Sequence, residues 1–271
     1  MALVPDVFIE SVVPIGVAQP QSQNDWIGTG FLISVESDEN PSKTYLFLVS
    51  NKHVFGNLPS VVIEINTPSG PQTISLTLQS GTTQLYSRHP NKDVDVAAVL
   101  IPGYLINAIV STVYSFSYKK NCLDLATMSQ SGISEGSFAY QIGFPLGLVG
   151  QTMKEPFVRS GCISRIKSCY SGASPYYICD MQTFPGSSGS PVVNKPEMIS
   201  VKGTENIPRC ALIGILSGHI PYNDTLISSQ TGKVMMKTEE NSGLTIVFPA
   251  DSIRDVLKLE IIRCGLANVT I

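Results

Sequence analysis

The chain has 271 residues, 43% of them apolar and only 14% charged, with a formal net charge of −3. That is enough material for one large domain or for two barrels sharing an interface. The charge balance leaves no basic face for nucleic acid. No run reaches the roughly 18 consecutive apolar residues of a membrane span, so neither nucleic-acid binding nor a membrane span is expected.

The N-terminal stretch MALVPDVFIESVVPIG has no basic leader, and Asp6 and Glu10 interrupt its apolar residues. It does not read as a secretory signal, and the expected compartment is the cytoplasm. Runs of strand length, rich in Val, Ile, Tyr, Phe or Thr, follow at residues 8–17, 30–35, 45–50, 61–65, 72–78 and 96–101. After a gap come 138–143, 158–165, 176–182, 191–193, 211–217 and 244–248. So many short strands, separated by Gly, Pro, Asn and Ser, favour an all-β barrel or sandwich over alternating βα units. The polar, poorly periodic stretch 115–134 suits a crossover, dividing the chain into residues 1–120 and 121–271.

Residues 194–209 and 222–242 read as longer polar loops, either tolerated insertions or a lid or docking loop. Residues 249–263 place Ile253, Val256, Leu257 and Glu260 at helical intervals, with Asp251 or Ser252 available as an N-cap. The six cysteines form no CxxC or Cys/His cluster, so no metal and no cofactor is expected. Without a signal segment they read as buried free thiols; disulfides in an exported protein are the alternative.

Acyl transfer by serine needs a hydroxyl, an imidazole to take its proton, a carboxylate to hold the imidazole, and N–H groups aimed at the developing oxyanion. The chain has three histidines. His53, in TYLFLVSNKHVF, directly follows an apolar strand and a Ser-Asn-Lys turn, where a base projects into a cleft. His89, in YSRHPNKD, reads as a solvated loop residue. Ser188 lies in FPGSSGSPVV, where Gly186 and Gly189 permit a tight turn with converging N–H groups. Asp95 opens the apolar strand DVAAVLIP, where a buried carboxylate needs a partner such as a histidine N–H. Asp93, two positions earlier on the same strand face, is the competitor.

In the order His, Asp, Ser, the chain resembles the trypsin/chymotrypsin superfamily, and most of all the protease domain of HtrA-type and related bacterial peptidases. The matching pieces are WIGTGFLIS, FLVSNKHV, DVAAVLI, GSFAYQIGFPLGL, VRSGCIS, FPGSSGSPVV, ALIGILSG and GLTIVFPADSIRDVL, in the family's order across residues 26–257. The resemblance implies two packed six-stranded antiparallel β-barrels with a C-terminal helix and a triad in the cleft between them. His53 would be the general base, Asp95 its orienting group and Ser188 the nucleophile. The backbone N–H groups of Gly186 and Ser188 would form the oxyanion hole.

It further implies a serine endopeptidase acting on protein or peptide substrates. The wall of the pocket for the residue before the cut would include Gln182, Thr183, Phe184, Ser217, Gly218 and His219. Gln182 at its base argues against a preference for Arg or Lys, although Asp180 is close by in sequence. His219 could bind an acidic side chain. Ser187 stands where digestive proteases carry an Asp, so activation by N-terminal trimming is not expected, and no PDZ module is expected after the helix. An α/β-hydrolase is disfavoured because GSSGS departs from G-x-S-x-G and only His219 follows the serine. A catalytically silent scaffold, or a site completed by an activating partner protein, remains the alternative.

Overall fold

The computed structural model describes residues 3–19, 24–40, 42–67, 70–107, 113–150, 152–197, 207 and 209–271. The first half is a sheet of β1 (Val12–Val17), β2 (Asp25–Glu36), β3 (Thr44–Ser50), β4 (Ser60–Thr67) and β5 (Gly70–Thr77), completed by β8 (Ser87–Arg88), β9 (Ala97–Leu100) and β10 (Phe116–Ser117). Its order is β5-β4-β1-β2-β3-β9-β8, with β10 added parallel to β2, and the small hairpin β6 (Gln79–Ser80) and β7 (Thr83–Gln84) stands apart. The second half is a closed barrel, β11-β12-β13-β16-β15-β14. Its strands are β11 (Phe138–Gly143), β12 (Phe157–Arg165), β13 (Tyr177–Asp180), β14 (Pro191–Asn194), β15 (Leu212–Ile227) and β16 (Val234–Pro249). The expected all-β architecture is therefore present, as a closed barrel and a barrel-like sheet.

Position in the sheet explains the patterning. β2 is central, paired with both β1 and β3, and its GFLI run is buried on both faces. β5 lies at an edge and alternates, Ile74 and Leu76 inward and Thr73, Ser75 and Thr77 outward. One hydrophobic cluster spans both halves, joining Phe31, Phe47 and Phe116 to Ile142, Val193, Leu212 and Phe248. Two further clusters fill the separate halves.

The helix Ala250–Arg263 packs Ile253, Val256, Leu257 and Ile261 into the shared cluster. Its Glu260 is fully buried and accepts hydrogen bonds from Ser87 Oγ, Leu100 N–H and the Arg263 guanidinium, tying the helix to the first sheet.

Four expectations need correction. Residues Asp6–Glu10 form a short helix that buries Phe8, and the strand begins only at Val12. The C-terminal helix has Pro249 at its N-cap with no side-chain cap; Asp251 instead accepts from Leu125 N–H. Residues 222–242 are neither a loop nor polar throughout. They extend β15 and β16 into a hairpin arm exposing Tyr222, Leu226, Ile227, Val234, Met235 and Met236. Of the other expected loop, residues 198–206 and 208 lie outside the described residues. Finally, the His89 side chain is only 11% exposed, beside Asp255 of the C-terminal helix, and burial pushes its imidazole pKa down.

The six cysteines carry no disulfide. Among the described residues no helix is long and apolar enough to cross a membrane, and no group of His, Cys, Asp or Glu could hold a metal.

Candidate active site

His53 stands at the end of β3, in the one-turn helix Lys52–Phe55 that follows Asn51. Asp95 lies just before β9, the strand paired with β3, so the ladder brings the two together. Asp95 Oδ2 lies 2.5 Å from His53 Nδ1, and its Oδ1 accepts from the His53 N–H at 3.2 Å. Asn51 secures the same corner by donating from Nδ2 to the Asp95 carbonyl at 2.7 Å. The rival Asp93 is exposed, its N–H held by Asn91.

The Asp95 carboxyl sits on balance below its ordinary pKa. Burial pushes it up, but the hydrogen bonds and charge of His53 and the hydroxyl of Ser217 pull it further down. An ionised carboxylate only accepts, so His53 Nδ1 carries the proton and Nε2 of the neutral ring is left as an acceptor. Half of the imidazole surface is open to solvent.

Ser188 lies on the loop between β13 and β14. Its Oγ donates to the Ser217 carbonyl at 3.0 Å, while Ser217 Oγ donates to Asp95 Oδ2 at 2.8 Å. One residue of β15 thus joins Ser188 of the barrel to Asp95 of the sheet. Sequence reading put Ser217 in a pocket wall and missed this bridge.

The loop itself is tightly stitched. Ser187 N–H donates to Phe184, Ser190 N–H to Ser187, Gly189 N–H to Leu216, and Leu216 N–H to Ser190. Gly186 and Gly189 have φ of +89° and +87°, values that disfavour a side chain. Gly189 has a second reason: a Cβ there would lie 2.0 Å from the Thr29 carbonyl. Ser187 is buried and bonded within the loop, so this turn needs no buried ion pair.

Four N–H groups of the loop, those of Gln182, Thr183, Gly186 and Ser188, have no hydrogen-bond partner among the described residues, and the last two flank Ser187 in the turn that carries the Ser188 hydroxyl. The Pro185 carbonyl is taken by Leu146 N–H at 2.6 Å. Because a trans peptide sets C=O and N–H on opposite sides, the Gly186 N–H points away from that turn. Leu146 holds φ +57°, the left-handed region that costs a β-carbon-bearing residue roughly 1–2 kcal/mol.

The expected pocket residues are spread around this loop. Thr183 is buried, and its carbonyl accepts from Asn241 at the base of the arm. Gln182 is exposed, its carbonyl held by the buried Gln141. Phe184 lies beneath the Arg159 guanidinium, 5.1 Å from ring centroid to cation. Ser217, Gly218 and His219 follow one another on β15, with Gly218 facing open space and His219 paired opposite Thr245. Asp180 ends β13, exposed and paired with Cys162 and Leu244.

The trypsin-like peptidase domain model matches residues 28–197, from β2 through the Ser188 loop. The chain belongs to the trypsin-like peptidase family. No curated protein matches it. Among solved structures this peptidase domain is similar to HBP, solved at atomic resolution, with a TM-score of 0.51, 12% identity, and coverage of 96% of this chain and 95% of that one. It also aligns with the apo protease domain of MamO from Magnetospirillum magneticum at TM-score 0.46 and 13% identity, covering 91% and 95% of the two chains. A mutant of human heparin binding protein (CAP37) aligns at TM-score 0.49 and 12% identity, covering 94% and 92%. At these identities the likeness to HBP speaks for the fold.

Proposed function

We propose that this trypsin-like peptidase is a serine endopeptidase that hydrolyses peptide bonds of protein or peptide substrates through an acyl-enzyme, with residues 1–120 and 121–271 as the two halves of one catalytic unit. The observation that carries the reading is the Asp95–His53 contact at 2.5 Å together with the Ser217 bridge to Ser188. Ser188 Oγ attacks the carbonyl carbon as its proton passes to His53 Nε2, and the carbonyl π pair moves onto oxygen. The unpartnered N–H groups of Gly186 and Ser188 receive that oxyanion. The imidazolium, held by Asp95, then gives its proton to the leaving amine as the C–N bond breaks. Water attacks the acyl-enzyme by the same route, returning a proton to Ser188. The mechanism needs no cofactor.

One observation favours a second reading, a site switched on by substrate or by an activating partner. The Ser188 hydroxyl donates to the Ser217 carbonyl, so it must turn towards His53 before it can react. Giving up one neutral hydrogen bond costs about 1 kcal/mol, a barrier substrate binding alone can meet.

Treatment with a fluorophosphonate probe tests the proposal. Wild type should label, and Ser188→Ala and His53→Ala should not. A folded wild type that fails to label, alone and with peptide substrates, would refute a site that is active by itself and leave only the partner-activated reading.

A further inference from the structure

The Gly186 and Ser188 N–H groups belong to one short loop, so whatever holds that loop decides where they point. Much of the holding comes from Thr29 of β2, in the opposite half of the molecule. Thr29 is fully buried. Its N–H donates to the Ser188 carbonyl at 2.9 Å, and its Oγ1 donates to the Gly186 carbonyl at 2.7 Å. The same Oγ1 accepts from the Phe144 N–H at 3.0 Å. The Thr29 carbonyl accepts from Ser50 Oγ at 2.7 Å, three residues before His53 in the chain.

Gly186 sits between two peptide planes, and the Thr29 hydroxyl is hydrogen-bonded to one and linked to the other through the Phe144 turn. It binds the carbonyl of the following plane directly. It reaches the preceding plane through Phe144, which opens the turn whose Leu146 N–H holds the Pro185 carbonyl. A glycine at φ +89° has little intrinsic resistance to a flip, and a flip of the Pro185–Gly186 peptide would point a carbonyl where the N–H now points.

Hydrogen-bond chemistry narrows the choice of side chain. One atom must donate to a carbonyl and accept from an N–H, which a hydroxyl does and an alkyl group of the same shape does not. Glycines at 143 and 189 admit the close approach: a Cβ at Gly143 would lie 3.0 Å from Thr29 Oγ1.

We propose that Thr29 is the positioning residue of the oxyanion-binding loop, its hydroxyl locking both peptide planes of Gly186 so that the N–H faces the reacting carbonyl. The proposal rests on the reading of Gly186 and Ser188 given above. Thr29 acts through Gly186 and touches no reacting atom.

The test compares wild type with Thr29→Val and Thr29→Ser, reading kcat and KM on a cleaved peptide, the rate of fluorophosphonate labelling, and the thermal midpoint. Losing one oxyanion donor typically lowers kcat by about 100- to 1,000-fold, so Thr29→Val should lose about tenfold or more in kcat and labelling rate with KM little changed. Thr29→Ser, which keeps the hydroxyl, should stay within about fivefold of wild type. Should the valine variant fail to fold, Thr29→Cys, similar in size but a weak donor, takes its place with the same expected direction. A folded valine or cysteine variant with wild-type kcat would overturn the proposal, as would a serine variant as slow as the valine one. A wild type that neither labels nor cleaves removes the underlying reading and this proposal with it, whereas an active wild type with indifferent Thr29 variants removes only the proposal.

Discussion

Replacing Asp95 with asparagine isolates the chemistry of the His53 corner. The Asp95 carboxylate accepts three hydrogen bonds, from His53 N–H, His53 Nδ1–H and Ser217 Oγ, and donates none. An amide has one oxygen and one NH2 group, so it cannot face three donors. If the oxygen keeps Nδ1 and Ser217, the NH2 opposes the His53 N–H. If the amide turns over, the NH2 meets Nδ1 and forces the ring into the tautomer with its proton on Nε2, which then cannot take the Ser188 proton. Either outcome loses charge-assisted bonds worth about 1.5–3 kcal/mol each, offset in part by the 23% exposure of the carboxylate.

For a triad held in this geometry the wrong tautomer lowers kcat by about 10⁴-fold, or roughly 5.5 kcal/mol of barrier, with KM little affected. Steady-state kinetics of Asp95→Asn beside wild type, with circular dichroism to verify folding, gives the comparison. A variant that kept kcat within tenfold would show that Asp95 does not set the tautomer. The substitution also bears on acid stability. The folded-state pKa of Asp95 is depressed, so its contribution is complete above the unfolded value of about 4 and is lost as pH falls through the folded value. Asp95→Asn should therefore flatten the fall of stability with pH on the acid side, measured by urea unfolding at a series of pH values. An unchanged slope would contradict the assignment.

Arg263→Met should destabilise the fold by about 3–5 kcal/mol, because Glu260, fully buried, would lose its only cationic partner among the described residues while keeping Ser87 and Leu100. Urea unfolding measures this, and a loss below about 1 kcal/mol would contradict it. Burial raises the thiol pKa of Cys169 to about 11, that of Cys210 to about 12, and that of Cys179 further still. These three should resist iodoacetamide at pH 8 until the protein is denatured, as peptide mass mapping would reveal. Replacing residues 223–239 by Asn-Gly joins Tyr222 to Glu240, its partner across the arm. Because the removed side chains are almost all exposed, the thermal midpoint should move by less than about 3 °C; a larger fall would mean the arm supports the barrel.

What was legible in the sequence follows from how far each residue's partners lie along the chain. Strands were readable wherever burial on one or both faces imposed a pattern, as in FLISV of β2 or the alternation of β5. The arm was not, because residues 222–242 pair with each other over water and no core dictates their composition. His53 and Asp95 stood out because each sits at the end of an apolar run in neighbouring strands. Ser217 and Thr29 did not, since a serine or threonine at a strand position is ordinary and its meaning lies in a partner 122 or 157 residues away. Thr29, in the run Gly28-Thr29-Gly30, offered only the local hint of a hydroxyl between two glycines in an otherwise apolar strand.

That separation has a structural consequence. The Ser188 loop is hung from Thr29 in the sheet, and Asp95 is braced by Ser217 from the barrel, so each half completes the other's part of the site. The hydrophobic cluster running from Phe31 to Phe248 is therefore more than packing, because its closure brings these hydrogen bonds into register. The Ser188 loop is thus held by contacts from both halves, so a change that loosened the interface should reach the Gly186 and Ser188 N–H groups proposed to bind the oxyanion.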